Sequence, residues 1–172
     1  MIEIIDDFLT PTYFKQARDM VESPQFPWNF NNRLSNTDED ELGGIGFQCT
    51  LIENTRKMDC YEQVFLSPAL IQIQDQVGRD DIFRARLDMT MYNPENYRHP
   101  LHVDYLGDEN AMSSILYLNE SDGNTIIGDE EVEPKANRLI IFESKIKHTG
   151  HSPSKHKQRV LLNAVFVLLI KE

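Results

Sequence analysis

The residue types best able to bind a transition metal are gathered in the second half of the chain. They are His99, His102, His148, His151 and His156, together with Asp104. His102 and Asp104 are two positions apart, so on a β-strand their side chains point to the same face. A second imidazole from a neighbouring strand would complete a two-histidine, one-carboxylate site that leaves coordination positions open, which suits a catalytic non-haem metal.

The second imidazole is either His148 or His151, which are three residues apart. A single His-x-Asp pair is a weak signal, because hydrogen-bonded structural pairs are the commoner reason for it. The other two histidines, His99 and His156, are interpreted as exposed loop residues.

The pattern from Asp81 onward predicts the strands that would position these residues. Between Phe83 and Tyr92, apolar and polar residues alternate strictly, as expected for a strand with one apolar and one polar face. Turn residues separate further predicted strands at Ser113–Leu118, Thr125–Ile127, Arg138–Phe142 and Gln158–Ile170. Helices followed by short antiparallel strands indicate an α+β chain whose second part is a β-sandwich or barrel, such as a jelly roll.

The first eighty residues are predicted to be mainly helical. Thr10-Pro11 resembles a helix start, and the helix would continue to about Glu22. Ser67-Pro68 is interpreted as the start of a second helix that ends at Val77, before Gly78. The other predicted features are short extended segments at Ile2–Phe8, Phe26–Phe30 and Phe47–Ile52, and a polar loop or lid over 31–46.

Length and composition favour a single globular domain over 1–172, with supporting helices in about 1–80 and the β core in about 81–170. Cys49 and Cys60 are too few for a disulfide framework or a zinc-cysteine cage, and are expected to be free thiols. The formal net charge of -11 disfavours nucleic acid and anionic membranes as partners. No signal peptide or membrane-spanning stretch is recognisable, so a cytoplasmic location is expected.

An ordered series of segments in the β region resembles the prolyl-hydroxylase-like 2-oxoglutarate oxygenases, and residues 2–9, IEIIDDFL, with the helix after them resemble the opening of the small bacterial and phage members. Residues 91–104, MYNPENYRHPLHVD, resemble the tyrosine and His-x-Asp segment of that family. Residues 114–119, SILYLN, resemble the next core strand, and 142–166, FESKIKHTGHSPSKHKQRVLLNAVF, resemble the closing histidine, arginine and apolar strand. The resemblance covers about 81–166 and is specific as an ordered series rather than in any one piece.

This resemblance implies a double-stranded β-helix (jelly roll) core and a set of site residues. His102, Asp104 and His148 would bind iron; His148 is preferred to His151 because a histidine followed by x-Gly commonly occupies that place in the family. Arg159 would bind the distal carboxylate of 2-oxoglutarate through its planar guanidinium. Tyr117 and Tyr92 match tyrosines that contact or line the co-substrate pocket.

The sequence departs from the family pattern at two points. The separation between His148 and Arg159 is slightly longer than usual, whereas that between His151 and Arg159 is slightly shorter. Leu161 stands two residues after the arginine, where many members have a serine or threonine that touches the co-substrate. The detailed contacts to the co-substrate are therefore expected to differ.

The function that the resemblance implies is an Fe(II)- and 2-oxoglutarate-dependent dioxygenase. It would use O2, release succinate and CO2, and hydroxylate a C–H bond of a peptidyl residue of the proline type or of a small metabolite; ascorbate is a further expected stimulant. Two alternatives belong to other classes. A cupin-like metalloenzyme would use the same triad without 2-oxoglutarate, and a non-catalytic jelly-roll module would bind a metal or a partner.

Overall fold

The computed structural model describes residues 2–32 and 45–168, which form two helices and eleven strands. The helices are α1 (Pro11–Val21) and α2 (Tyr61–Val77). The strands are β1 (Glu3–Ile5), β2 (Asn29–Asn31), β3 (Gly46–Glu53), β4 (Arg56–Lys57), β5 (Asp81–Met91), β6 (Met112–Tyr117), β7 (Thr125–Ile127), β8 (Glu130–Val132), β9 (Leu139–Glu143), β10 (His148–Gly150) and β11 (Gln158–Val167).

The strands form two antiparallel sheets, and the α+β jelly-roll expectation is confirmed. The large sheet has the order β1-β9-β6-β11-β5-β3-β2, with β4 paired to β3. The small sheet has the order β10-β7-β8. Apolar residues of β6, β9 and β11 in the large sheet form one buried cluster with Ile127 and Val132 of the small sheet. The two sheets therefore enclose a core of their own, which is the double-stranded β-helix arrangement.

The opposite face of the large sheet packs against the two helices. The larger apolar cluster joins Ala17 and Val21 of α1 and Leu66 and Ile73 of α2 to buried side chains of the sheet. Because the large sheet is covered on both faces, every residue of β11 except Gln158 is buried. This explains why β11 appears in the sequence as a continuous apolar run rather than an alternating one.

Helix α2 begins earlier than the sequence analysis predicts. Ser67-Pro68 is not its start: the helix begins at Tyr61, and Pro68 lies inside it. The apolar face continues across the proline, with Leu66 and Leu70 both buried. Burial of that face outweighs the cost of about 3 kcal/mol for an interior proline.

The other expectations for the first part of the chain have mixed outcomes. Helix α1 begins at Pro11 as predicted, although the Thr10 side chain makes no capping hydrogen bond. Strand β1 joins the large sheet beside β9, so the supporting part of the chain contributes strands as well as helices. Most of the polar segment 31–46 lies outside the described residues. The division of the chain into one domain stays a prediction.

Cys49 is buried and Cys60 is partly exposed, and both are free thiols, as the sequence analysis expects. No helix within the described ranges combines the length and the apolar character needed to cross a membrane.

Strand β11 is the centre of the large sheet, and we expect its stability to depend on Leu162. This side chain is fully buried between Leu87 of β5 and Leu116 of β6. Leu162→Ala should lower the free energy of unfolding by about 2–5 kcal/mol, measured by urea titration, because the cavity cannot close. Val64→Ala on the exposed side of α2 is the control, with an expected change within about 0.5 kcal/mol. Equal effects of the two substitutions would contradict this account of the core.

Candidate active site

His102, Asp104 and His148 converge at one end of the jelly roll. One potential ligand atom from each lies within 4.8 Å of the other two. The backbones of the two histidines are tied together, since each donates its N–H to the other's carbonyl, at 3.0 Å and 2.9 Å. The Nε2 atom of His148 lies 3.5 Å from Oδ2 of Asp104. Three donors of this kind at this spacing suit one octahedral metal ion with open positions.

Backbone carbonyls fix the orientation of both imidazole rings. The carbonyl of Ile146 lies 2.9 Å from Nδ1 of His148, and that of Pro100 lies 3.3 Å from Nδ1 of His102. Since a carbonyl only accepts, Nδ1 carries the proton and Nε2 keeps its lone pair for a metal. Burial, and then the neighbouring His148, lower the pKa of His102, which favours the neutral ring that can act as a ligand.

The carboxylate of Asp104 is buried and is held by two side chains from different strands. Arg84 of β5 donates from Nη2 to Oδ1 at 2.7 Å, and the hydroxyl of Ser113 of β6 donates to Oδ2 at 2.7 Å. Burial alone would raise the pKa of Asp104, but His148, Arg84 and the Ser113 hydrogen bond more than offset it. The net pKa lies below the usual range, so the group is the carboxylate that a hard metal ion prefers.

Arg159 of β11 is a buried cation without a carboxylate partner among the described residues. Only 7% of its surface is exposed. Its Nη1 donates to the Gly123 carbonyl at 2.8 Å, and its Nη2 donates to the hydroxyl of Thr90 at 3.3 Å. Its Nε has no hydrogen-bond partner. A Cβ at Gly150 would lie 2.3 Å from Nη1, so glycine is required there for the guanidinium to occupy this position.

Burial lowers the pKa of Arg159, although a guanidinium in a protein stays protonated. A buried, charged group with an unused donor is costly unless an anion pairs with it. The arrangement around Arg159 therefore suits a bound carboxylate.

One cleft joins the triad to Arg159. It encloses about 590 Å³, including the space at its open mouth, and all three triad residues and Arg159 line it. Further lining residues come from the inner face of the large sheet and from the loop before the triad: Arg86, Asp88, Thr90, Ile115, Leu161, Asn163 and His99. The candidate metal centre and the candidate carboxylate site thus face one continuous cleft.

The structure separates His148 from its competitor His151. His151 is not part of the three-residue cluster, and its Nδ1 lies 2.8 Å from the side-chain oxygen of Asn96. His156 is exposed and pairs with Asp122, as its interpretation as a loop residue expects. The interpretation of His99 as exposed is wrong. His99 is 6% exposed, because the antiparallel backbone pairing of its segment with 148–151 turns it inward to line the cleft.

The two tyrosines take different positions. Tyr117 is fully buried and donates to the hydroxyl of Thr125 at 2.6 Å, and Thr125 lines the cleft. Tyr117 therefore lies directly behind the cleft wall. Tyr92 follows the end of β5, is 54% exposed, and is not among the residues that line the cleft. The structure does not bring Tyr92 to the site, and its predicted role stays a prediction.

Several site residues are not identified individually by the sequence analysis. Arg84, Arg86, Asp88 and Thr90 occupy the polar face of β5, which the alternation predicts. The pattern of one strand could not show that Arg86, Asp88 and Thr90 line the cleft, or that Arg84 binds Asp104. Ser113 is also missed. Ser113 could have been identified from its position on the same strand face as Ile115 and Tyr117.

Comparison with known proteins links the core of the chain to one superfamily. Residues 87–167 match the family model described as the 2OG-Fe(II) oxygenase superfamily. That range contains the triad and Arg159. No curated protein sequence matches the chain.

Solved structures of similar fold include several oxygenases. A prolyl-4-hydroxylase from Pseudomonas putida is 18% identical, with a TM-score of 0.63, over 97% of this chain and 92% of that one. A 2OG-Fe(II) oxygenase family oxidoreductase from Burkholderia pseudomallei is 10% identical, with a TM-score of 0.70, over 96% of this chain and 84% of that one. A non-haem, α-ketoglutarate-dependent epimerase from nogalamycin biosynthesis is 11% identical, with a TM-score of 0.64, over 97% of this chain and 77% of that one. At these identities the likeness concerns the fold.

The geometry predicts which histidines bind a metal. His102→Ala and His148→Ala should each weaken Co(II) binding by more than about 100-fold, measured by calorimetry. Loss of a direct ligand lowers metal affinity more than loss of a residue that only orients a ligand. His151→Ala is the matched control and should keep wild-type affinity. The assignment is contradicted if His151→Ala loses the metal while His148→Ala retains it.

Proposed function

We propose that this chain, whose residues 87–167 match the model of the 2OG-Fe(II) oxygenase superfamily, is a member of that superfamily and a dioxygenase that hydroxylates a C–H bond of its substrate. The superfamily uses Fe(II), 2-oxoglutarate and O2. In the proposed reaction, one oxygen atom of O2 enters the substrate as a hydroxyl group and the other enters succinate, while the 1-carboxylate of 2-oxoglutarate leaves as CO2. The substrate is either a peptidyl residue or a small metabolite.

The observation that carries this proposal is the buried, unpaired guanidinium of Arg159 in the same cleft as the triad. A metal site alone would be equally consistent with a cupin-like enzyme or with a binding module. The additional cation, with an unused Nε and no ion pair to a carboxylate among the described residues, matches the distal carboxylate of 2-oxoglutarate. 2-Oxoglutarate would therefore have a complementary group at each end, the metal on the triad at one and Arg159 at the other.

The residues present fit the iron and co-substrate that the superfamily implies. His102, Asp104 and His148 would hold Fe(II), and Arg159 would hold 2-oxoglutarate. Once bound, this pair supplies the oxidising power, by coupling reduction of O2 to decarboxylation of 2-oxoglutarate. The protein contributes binding, orientation and exclusion of water.

Each contribution follows from a contact in the structure. Carbonyl hydrogen bonds keep the Nδ1 protons of both histidines in place, so their Nε2 atoms stay aimed at one point. Arg84 neutralises the charge on Oδ1 of Asp104, and Oδ2 remains on the side of His148. Ile115 and Leu161 give the cleft an apolar wall, which limits water at the reacting centre.

Arg159 is oriented before any ligand binds. Thr90 and the Gly123 carbonyl hold its two terminal nitrogens. Tyr117 supports the same wall through Thr125, and the arginine's positive charge acts on the tyrosine to oppose the rise in its pKa that burial causes. 2-Oxoglutarate would thus bind hydrogen-bond donors that are already held in position, and the protein would need little rearrangement.

We expect the combination of Fe(II) and 2-oxoglutarate, without O2, to give a metal-to-ligand charge-transfer band in the visible spectrum. The band should require both additions and should be lost in His102→Ala. Arg159→Ala should raise the 2-oxoglutarate concentration needed for half-maximal intensity by about 30-fold or more, because a buried charge pair loses one partner.

Arg18→Ala, on α1 and outside the cleft, is the matched control and should leave the titration unchanged. A titration in which Fe(II) binds but 2-oxoglutarate produces no band would contradict the proposal and favour the cupin-like alternative. Formation of succinate from 2-oxoglutarate under air, dependent on added Fe(II), is the corresponding activity readout.

A further inference from the structure

One carboxylate, that of Asp122, joins two loops beside the candidate active site. The 118–124 loop connects β6 to β7, and the 151–157 loop connects β10 to β11. Asp122 in the first loop accepts hydrogen bonds from the N–H of Ser154 at 3.0 Å and from its hydroxyl at 2.8 Å. The backbone N–H of Lys155 donates to the same carboxylate at 2.9 Å.

His156 adds a backbone and a side-chain contact to this junction. Its N–H donates to Asp122 at 3.2 Å, and its Nδ1 lies 2.8 Å from Oδ1 of that residue. Burial alone would raise the pKa of Asp122, but hydrogen bonds from His156, Ser154 and the backbone hold it below the usual range. An ionised carboxylate with several donors from one segment fixes that segment firmly. Asp122 therefore anchors the 118–124 loop to the 151–157 loop.

The backbones of the two loops are in direct contact at the next residue, Gly123. A Cβ at Gly123 would lie 2.5 Å from the carbonyl oxygen of His151 and 3.1 Å from the backbone nitrogen of Pro153. The carbonyl of Asn124 accepts the N–H of His151 at 2.9 Å. A displacement of one loop would therefore displace the other.

This junction supplies the better-defined of the two contacts that orient Arg159. Nη1 donates to the Gly123 carbonyl at 2.8 Å, whereas Nη2 donates to the hydroxyl of Thr90 at 3.3 Å. Thr90 belongs to β5 and is held by the sheet, but Gly123 belongs to no strand. Its carbonyl needs another anchor, and the adjacent residue, Asp122, provides one.

A second residue of the 118–124 loop fixes the backbone on either side of Arg159. Oδ1 of Asn119 accepts the N–H of Val160 at 2.7 Å, and Nδ2 of Asn119 donates to the carbonyl of Gln158 at 2.9 Å. Asn119 thus holds the main chain around the arginine, whereas the Asp122 junction acts on its side chain. Both effects come from one loop, and they concern different atoms of Arg159.

We propose that Asp122 is a positioning residue for the co-substrate: through the Gly123 carbonyl, it fixes the direction in which Arg159 presents its guanidinium to the distal carboxylate of 2-oxoglutarate. This inference rests on the proposed dioxygenase function and adds a residue that sets its co-substrate specificity. Without the Asp122 bonds, the Gly123 carbonyl would be free to move, and Arg159 would have to be reoriented during binding. The loss of affinity would fall on ligands that have a distal carboxylate.

The test compares 2-oxoglutarate with 2-oxopentanoate, a 2-oxo acid of the same chain length with a methyl group in place of the distal carboxylate. The protein with Fe(II), without O2, is titrated with each acid, and the charge-transfer band gives the two dissociation constants. The dissociation constant of 2-oxopentanoate divided by that of 2-oxoglutarate measures the contribution of the distal carboxylate. This ratio should be about 30 or more in the wild-type protein and below about 3 in Arg159→Ala.

Asp122→Ala should lower this ratio by about 4-fold or more, because the hydrogen bonds that hold the Gly123 carbonyl in place are lost. Asp122→Asn keeps the shape of the side chain and turns one acceptor into a donor, so it gives the same test if the alanine variant does not fold. Adding Asp122→Ala to Arg159→Ala should change the dissociation constant of 2-oxoglutarate by less than about 2-fold, because Asp122 acts through that arginine. A smaller change of the ratio, or a further loss in the double variant, would overturn the proposal.

Asp6→Ala is the matched control, since Asp6 is also a carboxylate bound by several donors, from Lys135 and Arg138, and lies outside the cleft. It should keep the wild-type ratio, and an equal decrease there would overturn the assignment to Asp122. If Arg159→Ala behaves as expected and the Asp122 variants keep the ratio, this inference fails and the dioxygenase proposal stands. If the wild-type protein gives no band with 2-oxoglutarate, the dioxygenase proposal fails and this inference fails with it.

Discussion

A buried carboxylate, Asp104, is the constraint on which the rest of the site depends. An isolated carboxylate at this depth would be protonated or would destabilise the fold. Arg84 and Ser113 prevent this by binding its two oxygens from different strands of the large sheet. Ser144, 2.9 Å from the hydroxyl of Ser113, extends the network to the residue after β9. The position of the candidate metal ligand is therefore set by the large sheet itself.

Contacts between the two sheets also position the candidate ligands. Asp104 belongs to the segment that pairs with β10, and mutual backbone hydrogen bonds fix His102 to His148. The large sheet thus fixes the carboxylate and the small sheet fixes the imidazoles. The apolar core between the sheets keeps these two sets in register. Any change in the packing between the sheets would alter the spacing of the three candidate ligands.

Most of the β core could be predicted from the sequence because the pattern of apolar and polar residues is unambiguous there. The alternation in β5 and the apolar run of β11 identified the strands, and the family resemblance selected the residues that the structure brings together. Local signals failed where tertiary packing dominates. Pro68 looked like a helix start, but burial of the α2 face carries the helix past it. His99 looked exposed because its segment carries no strand pattern, although pairing with β10 buries it.

The electrostatic properties of the cleft were the hardest feature to predict from the sequence. Arg86 and Asp88 have the same alternating pattern as a strand face exposed to solvent, and only the second sheet makes that face a wall of the candidate active site. Likewise, the absence of an acid partner for Arg159 among the described residues is a three-dimensional fact. The family resemblance suggested the arginine but could not show that its Nε is buried and has no hydrogen-bond partner.

The central claim is that one cleft holds a metal on the triad and a carboxylate on Arg159. The most direct measurement is a crystal structure of the protein with Mn(II) and 2-oxoglutarate, using anomalous scattering to locate the metal. The account predicts one metal bound by His102, Asp104 and His148, with the distal carboxylate of 2-oxoglutarate on Arg159. A metal bound through His151, or a co-substrate whose distal carboxylate lies away from Arg159, would contradict it.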